Sequence, residues 1–308
     1  MNIQEILTNH RLILTEAAVI ETLRRTDGLA LHPQLEHALL IYDDTGTKVL
    51  RELFSGYIDI ARRANVPLIL CSPTWRASRN RLRASGVGRD VNGDAVRFLK
   101  DLRKEQGDFA SQILIGGLIG CKNDCYQPEA CLPPDESYQF HGWQNERLCA
   151  QGVDFLMAAT LPALPEAVGI ARSMSESGVP YFISFVINRD GTILDGTGLP
   201  AAIETIDGAA ARPPLGYMIN CAYPSFLNTA ALPPAVLNRL VGFQGNASSL
   251  DHDQLDHSTE LQLDPIEDWG DRMIELNTRF GIKILGGCCG TGTDHLKYIV
   301  SHFSADQT

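Results

Sequence analysis

Several features that indicate common functions are missing from this chain. No Gly-x-Gly-x-x-Gly stretch follows an early strand and no Walker sequence is present, so nucleotide binding has little support. No apolar run reaches transmembrane length. Acidic residues outnumber basic ones, 37 to 26, and the net charge of −11 argues against binding to nucleic acids or to anionic membrane surfaces. We therefore expect small-molecule partners, with no nucleic-acid or membrane partner.

The N-terminal residues and the cysteines bear on the compartment. No basic region leads into an apolar one at the N-terminus, so no signal peptide is expected. In a reducing compartment, clustered cysteines such as several of these eight are more often metal ligands or catalytic groups than disulfides. We expect a cytoplasmic protein with free thiols. A homo-oligomer is left open.

The order of apolar runs predicts the fold. Eight strands are predicted to begin near residues 12, 67, 113, 153, 180, 215, 241 and 282, and helical patterns lie between nearly all of them. Residues 38–42 fit either a strand or a helix and are left out of the count. Regular alternation indicates a parallel sheet, and eight units favour closure. We predict an α/β protein, a (β/α)8 TIM barrel with a single domain over residues 1–308. An open doubly wound sheet is the alternative.

The last predicted strand ends in a turn with two adjacent cysteines. An apolar run rich in isoleucine stops at Gly286 and Gly287, and Cys288 and Cys289 follow. Neighbouring side chains of a strand point to opposite faces, but on a glycine-flanked turn both thiols can point the same way. Such a pair can ligate a soft metal, form a vicinal disulfide or have no special role.

A third cysteine ends the sixth predicted strand. Cys221 lies one strand away from Cys288 and Cys289 in a closed barrel, so three thiols can meet at the mouth where such barrels carry their active sites. Three thiolates and an open fourth position are typical of catalytic zinc, and the net negative charge suits a substrate thiolate better than water activation. The simpler alternative is that Cys221 is a buried residue at a strand end.

These motifs resemble those of the homocysteine S-methyltransferase family. Gly286-Gly287-Cys288-Cys289-Gly290-Thr291 is similar to the C-terminal signature of that family, and Asn220-Cys221 is similar to its first zinc-ligand motif. Weaker similarities lie at Thr74-Trp75-Arg76-Ala77-Ser78, Gly117-Leu118-Ile119-Gly120, Gln144, Gly152, Asp154, Ser184-Phe185 and Asp195-Gly196-Thr197. The resemblance implies a zinc-dependent (β/α)8 barrel that moves a methyl group from a sulfonium, betaine or folate donor to a thiol, usually homocysteine. It also implies that Cys221, Cys288 and Cys289 are the zinc ligands.

The chain departs from the family at two carboxylates. Where the family has an Asp-Gly pair after the first strand and a Glu-Thr pair after the fourth, this chain has Thr15 and Ala159-Thr160. In the family those carboxylates bind the amino group of homocysteine, and an ammonium buried without its partners is costly. Glu16 is one residue away as a candidate substitute. We therefore hypothesise a thiol S-methyltransferase whose acceptor is homocysteine or a related thiol.

Five residues are candidates for substrate binding. Thr74 and Thr160 fall in segments that resemble the family, and Glu16 is the substitute carboxylate. Trp75 and Tyr223 follow the second and sixth strands, where aromatic faces attract a cationic methyl donor; packing at the barrel rim is the alternative.

Other polar clusters are less specific. Cys121, Cys125 and Cys131 form either a second metal cluster, a cysteine-rich loop or a lid over the site, and their spacing is unlike that of common zinc motifs. His252 and His257 are expected on the active face as solvated residues. Asp251, Asp253 and Asp256 are expected to be a solvated charge run that could include a contact to the donor.

Two other functions remain as alternatives. A catalytically silent barrel that binds zinc or thiols would result if loss of the carboxylates removed catalysis. A zinc hydrolase is disfavoured by the charge of three thiolates. Methyl transfer itself needs no catalytic histidine or carboxylate, because the donor cation is a good leaving group and the acceptor is already a thiolate.

Overall fold

The computed structural model of the chain describes residues 2–251, 254 and 261–303. Its eight parallel strands pair in chain order, and β8 pairs with β1 to close a barrel. The strands are β1 Ile13–Leu14, β2 Leu68–Cys71, β3 Ile113–Ile119, β4 Phe155–Leu161, β5 Tyr181–Phe185, β6 Gly216–Ala222, β7 Leu240–Gly245 and β8 Ile284–Gly287. The predicted TIM barrel is confirmed, and each strand begins close to its expected position. The open doubly wound sheet is excluded.

Helices surround the barrel. They are α1 Ile3–Asn9, α2 Val19–Arg24, α3 Asp44–Ala64, α4 Arg79–Ser85, α5 Val91–Lys104, α6 Pro134–Ala150, α7 Leu164–Glu176, α8 Leu199–Ala209, α9 Pro234–Leu237, α10 Ile266–Thr278 and α11 Thr293–His302. The ambiguous residues form a 3₁₀ helix, His37–Tyr42. None of the described helices combines the length and apolarity needed to cross a bilayer.

The strands are apolar on both faces because each face meets a different part of the core. One cluster of buried residues lies between the sheet and the helices and includes Leu14, Leu68 and Ile115. A second cluster fills the barrel interior and includes Ile13, Ile69 and Phe155, so neighbouring residues along a strand alternate between the clusters.

Helix α1 closes one end of the barrel. Ile3 and Ile6 are fully buried and belong to the interior cluster. An Asn2 capping box starts the helix, and Lys283 at the entry to β8 donates a hydrogen bond to the carbonyl of Leu7 at 2.6 Å. The opposite end, formed by the carboxyl ends of the strands, is left for the functional side chains.

Several of the helices are short. Helix α9 ends at Leu237, because Leu240 already pairs with Tyr217 as part of β7. The short helices α1, α2 and α4 were not predicted, since six or seven residues give too little apolar periodicity to recognise.

Candidate active site and metal centre

Three cysteine sulfur atoms meet at the carboxyl ends of the strands. The Sγ atoms of Cys221, Cys288 and Cys289 lie within 4.8 Å of one another. Within the described part of the chain this is the one group of three such side chains placed to share a metal ion. The predicted convergence of thiols from β6 and from the turn after β8 is confirmed. All eight cysteines are free thiols.

A β-bulge aims the thiol of Cys221. The pairing of β6 with β7 shifts register between Asn220 and Ala222, and Cys221 between them has a left-handed backbone with φ of 53°. A bulge redirects the side chain of the extra residue, so Cys221 need not follow the alternation of its strand. β4 contains a similar β-bulge, because Thr160 has a φ of 58° and lies within a register shift between β4 and β5.

The turn after β8 is fixed by its backbone. The N–H of Cys288 donates to the carbonyl of Gly245 at 2.8 Å, which ties the turn to the end of β7. Thr291 closes the turn, and its hydroxyl donates to the carbonyl of Cys288 at 2.6 Å. A Cβ at Gly287 would lie 2.0 Å from the Thr291 hydroxyl oxygen, so this position requires glycine. The turn therefore holds Cys288 and Cys289 beside Cys221, as the glycine pattern predicted.

The three thiols share protons unequally. Hydrogen bonding from Cys221 and Cys288 holds the pKa of the Cys289 thiol well below its usual range, and the Tyr126 hydroxyl lowers that pKa further. The bonds that Cys221 makes to the other two sulfurs, together with burial, raise the pKa of Cys221. Of the three thiols, Cys289 is therefore the one that loses its proton most readily.

Asn220 connects the thiols to the bulge on β4. Its Nδ2 donates to the sulfur of Cys221 at 3.1 Å. Its Oδ1 accepts from the N–H of Thr160 at 3.0 Å and from the hydroxyl of Ser184 at 2.6 Å. The Thr160 hydroxyl in turn accepts a hydrogen bond from the indole of Trp75 at 2.7 Å. Thr160 and Trp75, which are predicted to bind substrate, are thus linked to Cys221 through the buried side-chain amide of Asn220.

Glu16 lies at the barrel rim but is turned into the sheet. Its Oε1 accepts the N–H of Cys71 at 2.5 Å, and its backbone carbonyl accepts the N–H of Gly287 at 2.8 Å. Burial raises the pKa of Glu16 to about 8, against which the hydrogen bond from Cys71 acts only in part. At neutral pH this carboxyl is therefore mostly protonated. Its role in substrate binding stays a prediction.

The other predicted substrate contacts occupy different environments. Thr74 has no exposed surface, and its hydroxyl donates to the carbonyl of Leu118 at 2.6 Å. The guanidinium of Arg76 lies 4.0 Å from the ring centre of Trp75, so one face of that indole already meets a cation of the chain. Tyr223 is buried directly after β6, with its ring 6.4 Å from that of Phe226. Substrate contacts by these residues remain predictions.

Neither position that lacks the family's carboxylate offers another charge. Thr15 is 2% exposed and its hydroxyl donates to the carbonyl of Ile69 at 3.3 Å. Ala159 belongs to the interior cluster of the barrel.

The segment between β3 and α6 approaches the thiols. We call residues 121–132 the cysteine loop. Its members Cys121, Cys125 and Cys131 form no metal-binding group in the described part of the chain, so the second metal cluster is not found there. Burial is the main reason why the pKa of the Cys125 thiol is raised, and Cys289 is among the charges that raise it further. The loop follows the carboxyl end of β3, so it begins on the same end of the barrel as the thiols.

Part of the loop after β7 lies outside the described residues. His252, His257, Asp253 and Asp256 fall there, so their predicted roles are not tested. Asp251 is described, and it pairs with Arg189 at 3.0 Å.

Two residues at the site were missed by sequence reasoning. Tyr126 lies in a loop that the sequence marks only as polar and cysteine-rich. Asn246 follows β7, is 2% exposed, and has an Oδ1 without a hydrogen-bond partner among the described residues. Its N–H donates to the carbonyl of Ala222 at 2.9 Å, and the next residue donates to the carbonyl of Cys289 at 2.9 Å. The sequence could have indicated Asn246, because it is a polar residue at the end of β7, the strand between the two that carry the cysteines.

Similar proteins have this architecture. The structure of the homocysteine methyltransferase MmuM from Escherichia coli, in its metallated form, matches with a TM-score of 0.75 and 18% identity, over 97% of this chain and 99% of that one. Its oxidized form matches with a TM-score of 0.74 and 19% identity over the same shares. At 18–19% identity, these structural similarities show that this chain has the same fold as MmuM.

Sequence comparisons give the family. Methionine synthase of Mycobacterium leprae (strain TN) is 24% identical over 172 residues, which cover 49% of this chain and 13% of that protein. The match therefore covers only a small part of that relative's length. The family model of homocysteine S-methyltransferase matches residues 12–303, nearly the whole chain. This chain belongs to the homocysteine S-methyltransferase family.

Proposed function

We propose that this chain is a zinc-dependent S-methyltransferase that moves a methyl group from a sulfonium or another cationic donor to a thiol, homocysteine or a relative of it. The observation that carries this proposal is the convergence of Cys221, Cys288 and Cys289 at the mouth of the barrel. The family supports the reaction class, and the thiol cluster supports the metal.

The residues at the mouth fit zinc. Three sulfur ligands are a donor set that zinc accepts and that magnesium or calcium does not favour. The unpartnered Oδ1 of Asn246, beside the loops that carry the cysteines, is a further donor that a cation would satisfy. When bound, zinc would act as a Lewis acid that keeps an acceptor thiol deprotonated at neutral pH.

The chain's own residues supply positioning. Asn220 fixes the thiol of Cys221 relative to β4, and the turn after β8 fixes the other two. Thr160 and Trp75 form the next layer of the wall through their mutual hydrogen bond. In-line alignment of donor and acceptor, together with exclusion of water, is the catalysis that such a transfer needs. A cytoplasmic location suits this chemistry, because the thiols must stay reduced.

A panel of methyl donors and thiols, analysed by mass spectrometry, tests the reaction. The zinc-loaded protein is expected to give a methylated thiol with at least one sulfonium donor, and the Cys288→Ala variant is expected to give none. Product at equal rates from both proteins contradicts the proposed role of the thiols.

The two positions where the resemblance predicts carboxylates for the amino group of homocysteine carry no charge in this chain. Thr15 and Ala159 provide no charge for an ammonium group, and Glu16 is committed to the N–H of Cys71. We expect the zinc-loaded protein to bind homocysteine no more tightly than the same thiol without its amino group, as measured by isothermal titration calorimetry. Tight binding that depends on the amino group contradicts this expectation and restores homocysteine as the specific acceptor.

A silent barrel is the second candidate, and the same two positions favour it. It predicts zinc in the purified protein and no turnover across the whole panel. Turnover with any pair of donor and thiol excludes it.

A further inference from the structure

A carboxylate from the segment after β1 contacts the turn that carries Cys288 and Cys289. Glu21 lies in the first turn of α2, and its Oε2 accepts the N–H of Gly290, the residue after Cys289. Its other oxygen, Oε1, accepts from the guanidinium of Arg25 at 3.1 Å. Each oxygen of this carboxylate therefore has a partner, and one of the two is the backbone of the turn after β8.

Closure of the barrel places α2 beside this turn. β1 pairs with β8, so the residues that follow β1 lie next to those that follow β8. The two segments are joined before Glu21 as well, because the carbonyl of Glu16 accepts the N–H of Gly287 at 2.8 Å. Leu23 on α2 is fully buried in the cluster between the sheet and the helices. The carboxylate is thus carried by a helix that is itself anchored.

The peptide between Cys289 and Gly290 is held at both of its polar groups. Its carbonyl, that of Cys289, accepts from the N–H of Ala247 at 2.9 Å, on the side of β7. Its N–H, that of Gly290, donates to Glu21 on the side of β1. Because a peptide unit is planar, two contacts on opposite sides fix its orientation. A hydrogen bond to a carboxylate is also roughly twice as strong as one between neutral groups.

Helix stability is a weak reason for this contact. The side chain of Arg25 is 51% exposed, and an exposed ion pair between residues four apart contributes little to stability. An acidic residue in the first turn also interacts favourably with the helix dipole. Neither effect requires that Oε2 of Glu21 accept the N–H of Gly290. The direction of this oxygen therefore points to a role in the turn.

We propose that Glu21 is a positioning residue of the thiol cluster, which holds the sulfur of Cys289 in place through the N–H of Gly290. The inference rests on the proposed function, in which Cys289 is a zinc ligand. Gly290 has a left-handed backbone with φ of 80°, so the chain changes direction directly after Cys289. Without the carboxylate, the peptide at this point is held from the side of β7 alone, and the Cys289 side chain gains freedom.

The first test measures zinc affinity by competition with a chromophoric chelator. We expect the affinity to fall by about tenfold in Glu21→Ala, because side chains that orient a ligand change metal affinity by about 10- to 100-fold when they are replaced. The matched control is Glu275→Ala on α10, which breaks an ion pair of the same spacing, with Arg279 at 3.0 Å. It should keep wild-type affinity. Wild-type affinity in Glu21→Ala, or an equal loss in the control, overturns the proposal.

Two conservative variants separate the contact from the charge. Glu21→Gln keeps an oxygen at the same reach, so it should retain more of the zinc affinity than Glu21→Ala. Glu21→Asp keeps the charge in the first turn of α2, but its side chain is one methylene too short for the contact. It should therefore lose affinity as Glu21→Ala does, and it serves as the second variant if Glu21→Ala does not fold. Full affinity in Glu21→Asp contradicts a role through Gly290.

Cobalt in place of zinc gives a readout that a loss of stability alone does not change. The absorption bands of a cobalt–thiolate site depend on the arrangement of its ligands. At saturating cobalt we expect these bands to shift in Glu21→Ala and to match those of wild type in Glu275→Ala. Wild-type bands in Glu21→Ala mean that the sulfur of Cys289 keeps its place without the carboxylate, which overturns the positioning role.

A third test uses the metal-free protein and measures the backbone directly. Hydrogen exchange, resolved to single amides by fragmentation in the mass spectrometer, gives the protection of the Gly290 N–H. Because this amide loses its acceptor, we expect it to exchange several-fold faster in Glu21→Ala and in Glu21→Asp, and at the wild-type rate in Glu275→Ala. Wild-type exchange at Gly290 in all three variants overturns the role of Glu21 in holding the turn.

The three tests separate this inference from the proposed function. The zinc and cobalt measurements rest on the proposed metal site, whereas the exchange measurement does not. A wild-type protein that takes up neither metal defeats the proposed function, and the exchange rate of the Gly290 amide then still decides whether Glu21 holds the turn.

Discussion

Two residues at the ends of strands adopt a left-handed backbone that their side chains do not favour. Cys221 and Thr160 both have positive φ, and a threonine in this region is strained because its side chain is β-branched. Strain of this kind costs on the order of 1–3 kcal/mol and persists where surrounding contacts enforce it. Here the contacts are those of Asn220, which bonds to both residues. The strain therefore lies where the thiol of Cys221 has to leave the regular strand.

The thiols are expected to be individually necessary for zinc. In Cys289→Ser the hydroxyl stays protonated at neutral pH, so one anionic ligand is lost and the zinc content after dialysis should fall far below one per chain. Cys131→Ser is the matched control, because Cys131 is outside the thiol cluster. Elemental analysis of both variants measures the result. Equal zinc in the two proteins contradicts the assignment of the site.

Glu16 predicts a pH dependence of stability. Its pKa in the folded protein is about 8, above the ordinary 4.5, so the folded state keeps a proton that the unfolded state loses in between. The contribution of Glu16 is therefore fully present below the ordinary pKa and is lost as pH rises to about 8. Glu16→Gln has no such titration. The melting temperature of the variant should gain on that of wild type across this window and level off above it. A constant difference contradicts the buried, protonated carboxyl.

At the scale of elements, helix α1 and the strand ends have separate tasks. α1 fills one end of the barrel with Ile3 and Ile6, whereas the carboxyl ends of β6 and β8 carry the thiols. This separation is typical of (β/α)8 barrels, in which the end at the amino termini of the strands contributes stability and the end at their carboxyl termini carries the active site.

Truncation in α1 should therefore affect stability without affecting zinc. Ile6→Ala leaves a cavity in the interior cluster, and we expect unfolding free energy to fall by about 2–5 kcal/mol. Gln4→Ala, on the exposed side of the same helix, should change it by less than about 0.5 kcal/mol. Denaturant unfolding gives both values, and zinc content should match wild type in both. A loss of zinc in folded Ile6→Ala contradicts the separation of tasks.

The strands were predictable because their apolar runs are long enough to bury both faces. Residues 281–285 and 215–219 illustrate this, since each run ends in the cysteine motif that the structure places at the mouth. The bulge at Cys221 was not predictable, because register shifts depend on the neighbouring strand. Tyr126 was missed for a related reason. Its effect on the pKa of Cys289 acts across more than a hundred residues of chain, and no local pattern encodes such an effect.

At the scale of the whole molecule, barrel closure makes the site. Strands β6 and β8 are separated by β7 alone, and the Gly245–Cys288 hydrogen bond ties the turn after β8 to the end of β7. The same fold holds in E. coli MmuM at 18% identity, so the architecture tolerates wide changes of sequence. Thr15 and Ala159 stand where the resemblance to the family predicts carboxylates. The convergence of the three thiols and the uncharged positions Thr15 and Ala159 together support the central proposal, a thiol cluster that holds zinc for a thiol acceptor.

X-ray absorption at the zinc edge tests that claim most directly, because it counts the sulfur neighbours of the metal. We predict three sulfur neighbours in the zinc-loaded protein, and four after addition of the acceptor thiol that gives product in the donor panel, or of homocysteine if none does. Cys221→Ser, if it retains zinc, should start with one sulfur fewer. A count that stays at three with saturating thiol, or a wild-type protein that takes up no zinc, contradicts the account.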